Sequence, residues 1–354
     1  MKHKTNTTFW KHKKVLITGH TGFKGSWLSL VLGLFKSELF GFSLKAKKIS
    51  LFNQANIKLM FKKNIYSDLK NKNKLKKLIF ENKPDFIFHF ASQALVNFSY
   101  KNPKKNFETN VSGLFNLLEI LRNYKKKITV IIATSDKCYQ DQKNFKRYNE
   151  NSNLGGIDPY SSSKAVQEIL STSYYHSFFK KNNINLCTVR AGNVIGGGDW
   201  TPSRIIPDYM LSYKKKTKLS IRYPNSIRPW QHILDVINGY LILAEKVFKN
   251  KKYCGPWNFG PNQKGEVSVI KLVNQLNNNF DRKSKISLSN KKNKETKVLK
   301  LDSSKARKFI KWKSYLNYPK NLNITSLWYL KYFKNHNAKE ITNEQIKKFF
   351  YETK

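Results

Sequence analysis

Tyr160 and Lys164 stand four residues apart in the run Tyr160-Ser161-Ser162-Ser163-Lys164. On a helix that spacing sets both side chains on one face. A phenol is a poor base at its ordinary pKa of about 10, and a neighbouring ammonium stabilises the phenolate and lowers that value. The pair can therefore take a proton from an alcohol, the first requirement for oxidising one. Tyr-x-x-x-Lys alone turns up by chance on many surface helices, and its company gives it meaning. The apolar run 129–134 predicts a buried strand that ends in Ser135-Asp136-Lys137. A carboxyl group kept protonated by burial is an acid, and a lysine of depressed pKa is a base. Exposed at a strand end, the same two would be an ordinary surface pair.

Such side chains need a scaffold, and the sequence supplies a regular one. Lys14-Val15-Leu16-Ile17 reads as a first buried strand, and 26–35 as a helix rich in Leu and Val. Between them lies Gly19-His20-Thr21-Gly22-Phe23-Lys24-Gly25, with glycines at spacings of three. Glycines there let the backbone turn tightly, approach a ligand closely and pack helix on sheet, while the helix N-terminus faces a pyrophosphate. Strands are predicted at 39–44, 64–66, 86–90, 129–134 and 185–190, with helices at 109–122 and 160–181. The β–α alternation implies an α/β fold, a doubly wound parallel sheet. Its ligands belong at the carboxyl ends of the strands, which points to Asp68, Leu69, Phe90, Ala91, Ser92 and Gln93 as further contacts. His89, inside an apolar run, reads as a core residue. Beyond Arg190 the pattern loosens into a Gly-rich loop at 192–200, a helix start at 204–213, a polar-aromatic turn at 228–235 and a helix at 234–248. Trp257-Asn258-Phe259-Gly260 reads as a late strand returning to the main sheet.

A chain of 354 residues, 40% hydrophobic and 14% aromatic, can bury a substantial core. Its 67 Lys+Arg against 22 Asp+Glu give a formal charge of +45. That excess admits a nucleic-acid face. Its even spread among Asn, Ile and Phe fits a general Lys and Asn bias better, and a positive surface equally attracts a nucleotide diphosphate. Three scattered cysteines form neither a disulfide frame nor a metal cluster, so no metal is expected and the compartment is reducing. No apolar run is long enough to span a bilayer, and the Lys- and Thr-rich N-terminus is no secretory signal. A cytoplasmic protein without a membrane partner is the expectation.

With these residues in view the chain resembles the extended short-chain dehydrogenase/reductases of Rossmann type, and among them the CDP-glucose 4,6-dehydratases. The resemblance covers about Lys13 to Leu330. It is carried by the glycine turn continuing into Ser26-Trp27-Leu28, by Ser135-Asp136-Lys137-Cys138-Tyr139, and by the Tyr160–Lys164 run. Two further stretches carry it: Arg190-Ala191-Gly192-Asn193-Val194-Ile195-Gly196-Gly197-Gly198-Asp199-Trp200, and Arg228-Pro229-Trp230-Gln231-His232. It implies a tightly held, recycled NAD, CDP-glucose as substrate, and CDP-4-dehydro-6-deoxyglucose as product, in deoxysugar supply for surface polysaccharide. It also implies a homodimer packed through the helices at 109–122 and 160–181. Ser135, Tyr160 and Lys164 then serve oxidation, Asp136 and Lys137 elimination, and Gln93, Asn193, Arg204 and Arg228 bind substrate. An exposed Arg204 or Arg228 is otherwise a solvated surface charge.

Departures from the family pattern bear on recognition. Lys45 follows the second strand where an acidic ribose ligand often stands, which admits NADP, although the resemblance implies NAD. Asn97 occupies a position often held by Arg, and 294–297 lacks a His expected before its Glu. The expected division is a cofactor-binding domain at 13–193 with a return of 234–260, a smaller nucleotide-sugar domain at 194–233 and 261–335, and a C-terminal tail at 336–354. Two rivals stand beside the dehydratase: a nucleotide-sugar 4-epimerase, which shares the Tyr-Lys pair but eliminates no water, and a non-catalytic basic protein of the same fold that binds nucleic acid.

Overall fold

The computed structural model describes residues 4–141, 147–288 and 298–352. Seven strands form one fully parallel sheet: β1 (Lys14–Thr18), β2 (Glu38–Ser43), β3 (Phe61–Tyr66), β4 (Phe86–His89), β5 (Ile128–Ala133), β6 (Ile184–Ala191) and a later strand, Gly255–Phe259. In space that later strand lies beside β6, and the order continues β5-β4-β1-β2-β3. Every residue of β4, β5 and β6 is buried. Their near-continuous Ile, Val, Leu and Phe follow from burial on both faces, as parallel sheets require. The direction of winding reverses between β1 and β4, and a crevice opens there at the carboxyl ends.

On the faces lie α1 (Phe23–Leu34), the short α2 (Leu51–Gln54), α3 (Lys72–Asn82), α4 (Val96–Lys101), α5 (Pro103–Phe107), α6 (Gly113–Arg122) and α7 (Pro159–Tyr174). The helix expected at 109–122 begins as a wide turn at Glu108–Ser112 before α6, and the one expected at 160–181 ends in another at Tyr175–Phe179. The remaining strands and helices follow in chain order. These are β7 (Asn193–Ile195), α8 (Ile205–Lys215), β8 (Leu219–Ile221), β9 (Ile227–His232), α9 (Ile233–Lys249), β10 (the Gly255–Phe259 strand), β11 (Glu266–Ser268), α10 (Val269–Asn279), β12 (Ile286–Leu288), α11 (Ser304–Ile310), α12 (Lys320–Phe333) and α13 (Ala338–Phe350). Strands β11-β9-β7 make a second sheet, with β7 parallel and β11 antiparallel to β9, and β12 pairs with β8.

Two expectations need correction. Residues 228–232 are strand, not turn: Arg228, Trp230 and His232 alternate with Pro229 and Gln231, yet all are buried because both faces of β9 are covered. Residues 338–350 are a docked helix, not a tail. The Phe350 ring packs edge-on against Phe35 at 5.1 Å, and Trp328 donates to Thr342 Oγ1 at 2.9 Å. A single apolar cluster runs from Trp10 and Val15 through Trp257 to Phe350, so the two sides of the crevice share one core. The expected return to the main sheet is the β10–β6 pairing, with Trp257 opposite Val189.

Candidate active site

The floor of the crevice is the turn between β1 and α1. Gly19 has φ +73°, and a Cβ there would fall 2.5 Å from the backbone nitrogen of Ala91. At Gly25 a Cβ would fall 2.3 Å from the Gly19 carbonyl oxygen. Both positions exclude any side chain, which brings the ends of β1 and β4 together. Gly22 is the N-cap of the twelve-residue α1 and offers no side-chain cap, so the helix presents its first amides to the crevice. A cradle of this shape with an uncapped, dipole-positive helix end fits the pyrophosphate of a dinucleotide.

The turn residues divide by direction. His20 is wholly buried; its Nε2 lies 2.8 Å from Asn64 Oδ1, and its ring lies so close to Gly41 that a Cβ there would come within 2.7 Å. Burial lowers its pKa to about 4, and only its backbone belongs to the cradle. Thr21 Oγ1 lies 2.8 Å from Ser43 Oγ and donates to the Leu44 carbonyl at 3.0 Å, so hydroxyls line the end of β2 where no carboxylate stands. Lys45 is exposed. Lys24 is half-buried, and burial, reinforced by Arg204, lowers its pKa to about 8. The Phe23 ring lies against the backbone of Gly196. Leu69 is a core side chain under Gly113, and Asp68 closes its own turn by accepting from the Lys70 amide at 2.9 Å. Phe90 packs on Phe88 and Tyr240. His89 is buried with Nδ1 2.9 Å from Thr18 Oγ1, the core role expected for it.

Above the floor the structure gathers Ser135, Asp136, Tyr160 and Lys164. Ser135 caps the short turn Asp136–Cys138: its Oγ accepts from the Lys137 amide at 3.2 Å and donates to Asp136 Oδ1 at 2.9 Å. Tyr160 sits in the first turn of α7, which Asp158 caps by accepting from the Ser161 amide at 3.0 Å, with Pro159 leading. That start was readable as an N-cap followed by proline. The Tyr160 hydroxyl faces Ser135, and burial pushes its pKa up to about 12. Lys164 is buried with its ammonium 5.9 Å from the Tyr160 ring centroid. It donates to Ser92 Oγ at 2.7 Å, Gln167 Oε1 at 2.9 Å and the Ala133 carbonyl at 3.3 Å. Burial, joined by the charge of Lys24, lowers its pKa to about 7. Asp136 is 4% exposed, its Oδ2 has no partner, and burial raises its pKa against the pull of Lys137, Ser135, Arg228 and Lys24. Lys137 is half-buried beside it.

Asn110 and Gln167 escaped the sequence reading. Asn110 Oδ1 accepts from Ser92 Oγ and the Gln93 amide, both at 2.8 Å, and its Nδ2 donates to Ser163 Oγ at 2.9 Å. Gln167 Nε2 donates to the Asn110 carbonyl at 2.6 Å. Asn110 lies in the wide turn before α6, which no periodicity announces; Gln167 had one signal, its place three residues after Lys164.

The opposite wall holds Asn193 at the start of β7, Arg204 at the N-cap of α8 and Arg228 in β9. Arg204 pairs with Asp199 at 3.0 Å, and Arg228, 4% exposed, donates to the Ile227 carbonyl at 2.9 Å. Buried Arg228 is therefore no solvated surface charge. Gln93 closes on its own loop through Leu95. Asn97 lies on α4, and 294–297 falls outside the described residues. Basic Lys24, Lys137, Lys164, Arg204 and Arg228 outweigh Asp136 and Asp199 across the crevice, which suits an anionic ligand. No group of His, Cys, Asp and Glu among the described residues is placed to hold a metal.

The family model described as GDP-mannose 4,6 dehydratase matches residues 16–323. The chain belongs to that dehydratase family. Among curated relatives, the CDP-glucose 4,6-dehydratase of Salmonella typhimurium is 39% identical over 312 residues, 86% of this chain and 87% of that protein. The UDP-glucose 4-epimerase of Mycoplasma genitalium is 27% identical over 249 residues, 65% of this chain and 71% of its own. Of solved structures, dTDP-glucose 4,6-dehydratase from Bacillus anthracis, in complex with NAD, superposes with a TM-score of 0.75 at 21% identity, covering 91% of this chain and 98% of that one. The UDP-glucose 4-epimerase of Stenotrophomonas maltophila gives 0.78 at 19% identity, covering 92% and 100%. Dehydratases of this family and epimerases thus share one fold, and the fold alone does not separate their reactions.

Proposed function

We propose that this dehydratase-family chain converts CDP-glucose to CDP-4-dehydro-6-deoxyglucose and water. The observation that carries the reading is Asp136, a buried acid whose Oδ1 is held by Ser135 and whose Oδ2 has no hydrogen-bond partner, next to Lys137. Epimerisation at carbon 4 needs the Tyr-Lys pair but no acid for a departing hydroxyl, so the Asp-Lys pair favours dehydration. The 39% identical relative supports CDP-glucose as the substrate.

The glycine cradle, the Thr21–Ser43 hydroxyls and Lys164 would hold NAD, with Phe90, Ala91 and Ser92 at its edge and the backbone of Asp68-Leu69 near its adenine. NAD held there would supply a hydride acceptor for carbon 4 and, once reduced, a hydride donor for carbon 6. Tyr160 takes the proton of the 4-hydroxyl while Ser135 holds the same oxygen. Exclusion of water penalises either charge alone, so the phenolate forms only opposite the Lys164 ammonium. The new ketone acidifies the hydrogen on carbon 5, which Lys137 removes. Asp136 gives its proton to the hydroxyl on carbon 6, which leaves as water, and Lys137 returns its proton to carbon 5. Arg204, Arg228, Asn193 and Gln93 take the diphosphate and nucleotide, guanidinium being suited to bidentate phosphate contact.

The same reading includes a homodimer and a cytoplasmic setting. Phe115 on α6, Ile169 on α7 and Phe178 just beyond are 44%, 57% and 40% exposed, an apolar face that a second copy would cover. Cys138, Cys187 and Cys254 are free thiols, and no helix among the described residues is long and apolar enough to cross a membrane. Incubation with CDP-, UDP-, dTDP- and GDP-glucose, read by mass spectrometry for loss of one water, tests the function. Deuterium at carbon 4 should reappear at carbon 6 without net consumption of added NAD. A product of unchanged mass but inverted carbon 4 would make the chain an epimerase.

A further inference from the structure

Tyr160 and Lys164 recur along α7 at intervals of four, and the next position in that stripe is Glu168. Its carboxylate is fully buried and fully used. Oε1 accepts from Thr134 Oγ1, and Oε2 accepts from Thr188 Oγ1 at 2.6 Å and from Arg190 Nη2 at 2.8 Å. Thr134 is the residue before Ser135-Asp136, and Thr188 and Arg190 belong to β6. Arg190 reaches on to the Tyr139 hydroxyl at 2.8 Å, at the far end of the turn that carries Asp136 and Lys137, and Tyr139 donates to Asn258 of β10 at 2.7 Å. One carboxylate thus ties the helix bearing Tyr160 and Lys164 to the strand end bearing Ser135 and Asp136. A buried ion pair contributes little net stability, because desolvating both charges offsets their attraction. Its place at this junction calls for another reason.

We infer that Glu168 is a positioning residue for both halves of the reaction, fixing the Tyr160–Lys164 helix against the Ser135–Lys137 turn through Thr134 and Arg190. This rests on the dehydratase reading. The geometry has an electrostatic side. The Lys164 ammonium is faced by Lys24 from α1, His89 from β4, Cys138 from the turn after β5, and Tyr160 and Glu168 from its own helix. Among these Glu168 is the carboxylate, and its charge raises the Lys164 pKa against burial and Lys24.

Two variants separate positioning from plain stability. Thr134→Val removes the tie to the strand end while leaving the Glu168–Arg190 pair whole. It should lower kcat about tenfold with KM little changed, since small misplacements of reacting groups slow chemistry steeply. Thr134→Ser, which keeps the hydroxyl, should restore the rate. Glu168→Gln combined with Arg190→Met removes both charges and leaves neither stranded. It should move the alkaline limb of the kcat profile about one pH unit lower, as Lys164 loses its proton more readily. Normal kcat in Thr134→Val together with an unmoved profile in the double variant would overturn the inference. Competitive acetylation of Lys164 across pH, read by peptide mass spectrometry, needs no turnover: a lower midpoint in the double variant supports the assignment and an equal midpoint defeats it. If the unmodified chain dehydrates no sugar nucleotide, the functional reading fails while this titration still decides the role of Glu168.

Discussion

The two walls of the crevice hold their side chains in different ways. On the sheet wall, Ser135, Asp136, Tyr160 and Lys164 are all buried, and Lys164 alone has three hydrogen-bond partners. On the opposite wall, Arg204 is one-third exposed and its side chain is fixed by one carboxylate, Asp199. Asn193 is half-buried at the first residue of a three-residue strand. In the proposed function the first wall does the chemistry, which tolerates little misplacement, and its groups stand where the parallel sheet, the deepest part of the core, sets their positions. In the proposed function the second wall binds a nucleotide, which tolerates more, and Asn193 and Arg204 stand on a short strand and a helix end. Arg228 is the exception, a buried arginine on the second wall whose charge reaches Asp136. It joins the two walls electrically.

The sharpest way to break this contrast is to disable the sheet wall. Tyr160→Phe should abolish product altogether, with no oxidised sugar detectable, because the phenol that would take the 4-hydroxyl proton is gone. Measurable turnover by Tyr160→Phe would move the base elsewhere. Asp136→Asn should slow dehydration about 10²–10⁴-fold while carbon 4 is still oxidised, so a 4-keto-glucose nucleotide should build up in a quenched reaction. Lys137→Ala should slow exchange of the carbon-5 hydrogen with deuterated water. If both variants dehydrate at the normal rate, the Asp-Lys pair is structural.

Acidity probes the same wall less drastically. Asp136 donates only when protonated, and its raised pKa keeps that form present below the shifted value and removes it as pH climbs. Lys164, brought to about 7, carries its charge below that pH and loses it above. Both act in one direction, so the dehydration rate should fall as pH rises through about 7. A rate that climbs steadily from pH 6 to 9 would show that neither group limits turnover. The mildest effect belongs to the binding wall: Arg204→Ala should raise KM about tenfold with kcat nearly intact, about the loss of one charged hydrogen bond. Should kcat fall instead, Arg204 belongs to the reaction and the contrast between the walls dissolves.

Much of the sheet wall was legible because it obeys simple periods. Apolar strands, glycines every third residue and Tyr-Lys at four are all local patterns, and local patterns survive folding. The parallel sheet, the glycine cradle and the return of β10 follow from them. What escaped was whatever depends on distant partners. His20 sits inside a ligand motif, yet its ring is drawn under Gly41 by Asn64, a hydrogen bond between two strands' worth of chain. Residues 228–232 lack alternation because β9 is covered on both faces, so the pattern of a half-buried strand was never there to read. Asn110 lies in a wide helical turn whose geometry has no composition signature. On the polar face of α13, Lys, Glu, Asn and Gln disguise a helix whose Ile341, Ile346 and Phe350 are buried.

That helix has a consequence for how the chain comes into being. Phe35, at the end of the helix that opens on the cofactor cradle, is covered by Phe350, and Trp328, which fills the space beside Gly197, is held by Thr342. A growing chain exposes the first of these surfaces early in synthesis and receives its cover only when 338–350 leaves the ribosome. We predict that a chain ending at residue 337 retains less bound NAD than the full 354-residue chain, with both released into identical buffer. Equal retention by the two lengths would show that the cradle matures without its lid. Until that helix arrives, the early half of the chain waits with an unfinished core, and the span of synthesis in between is when it most needs shielding from its neighbours.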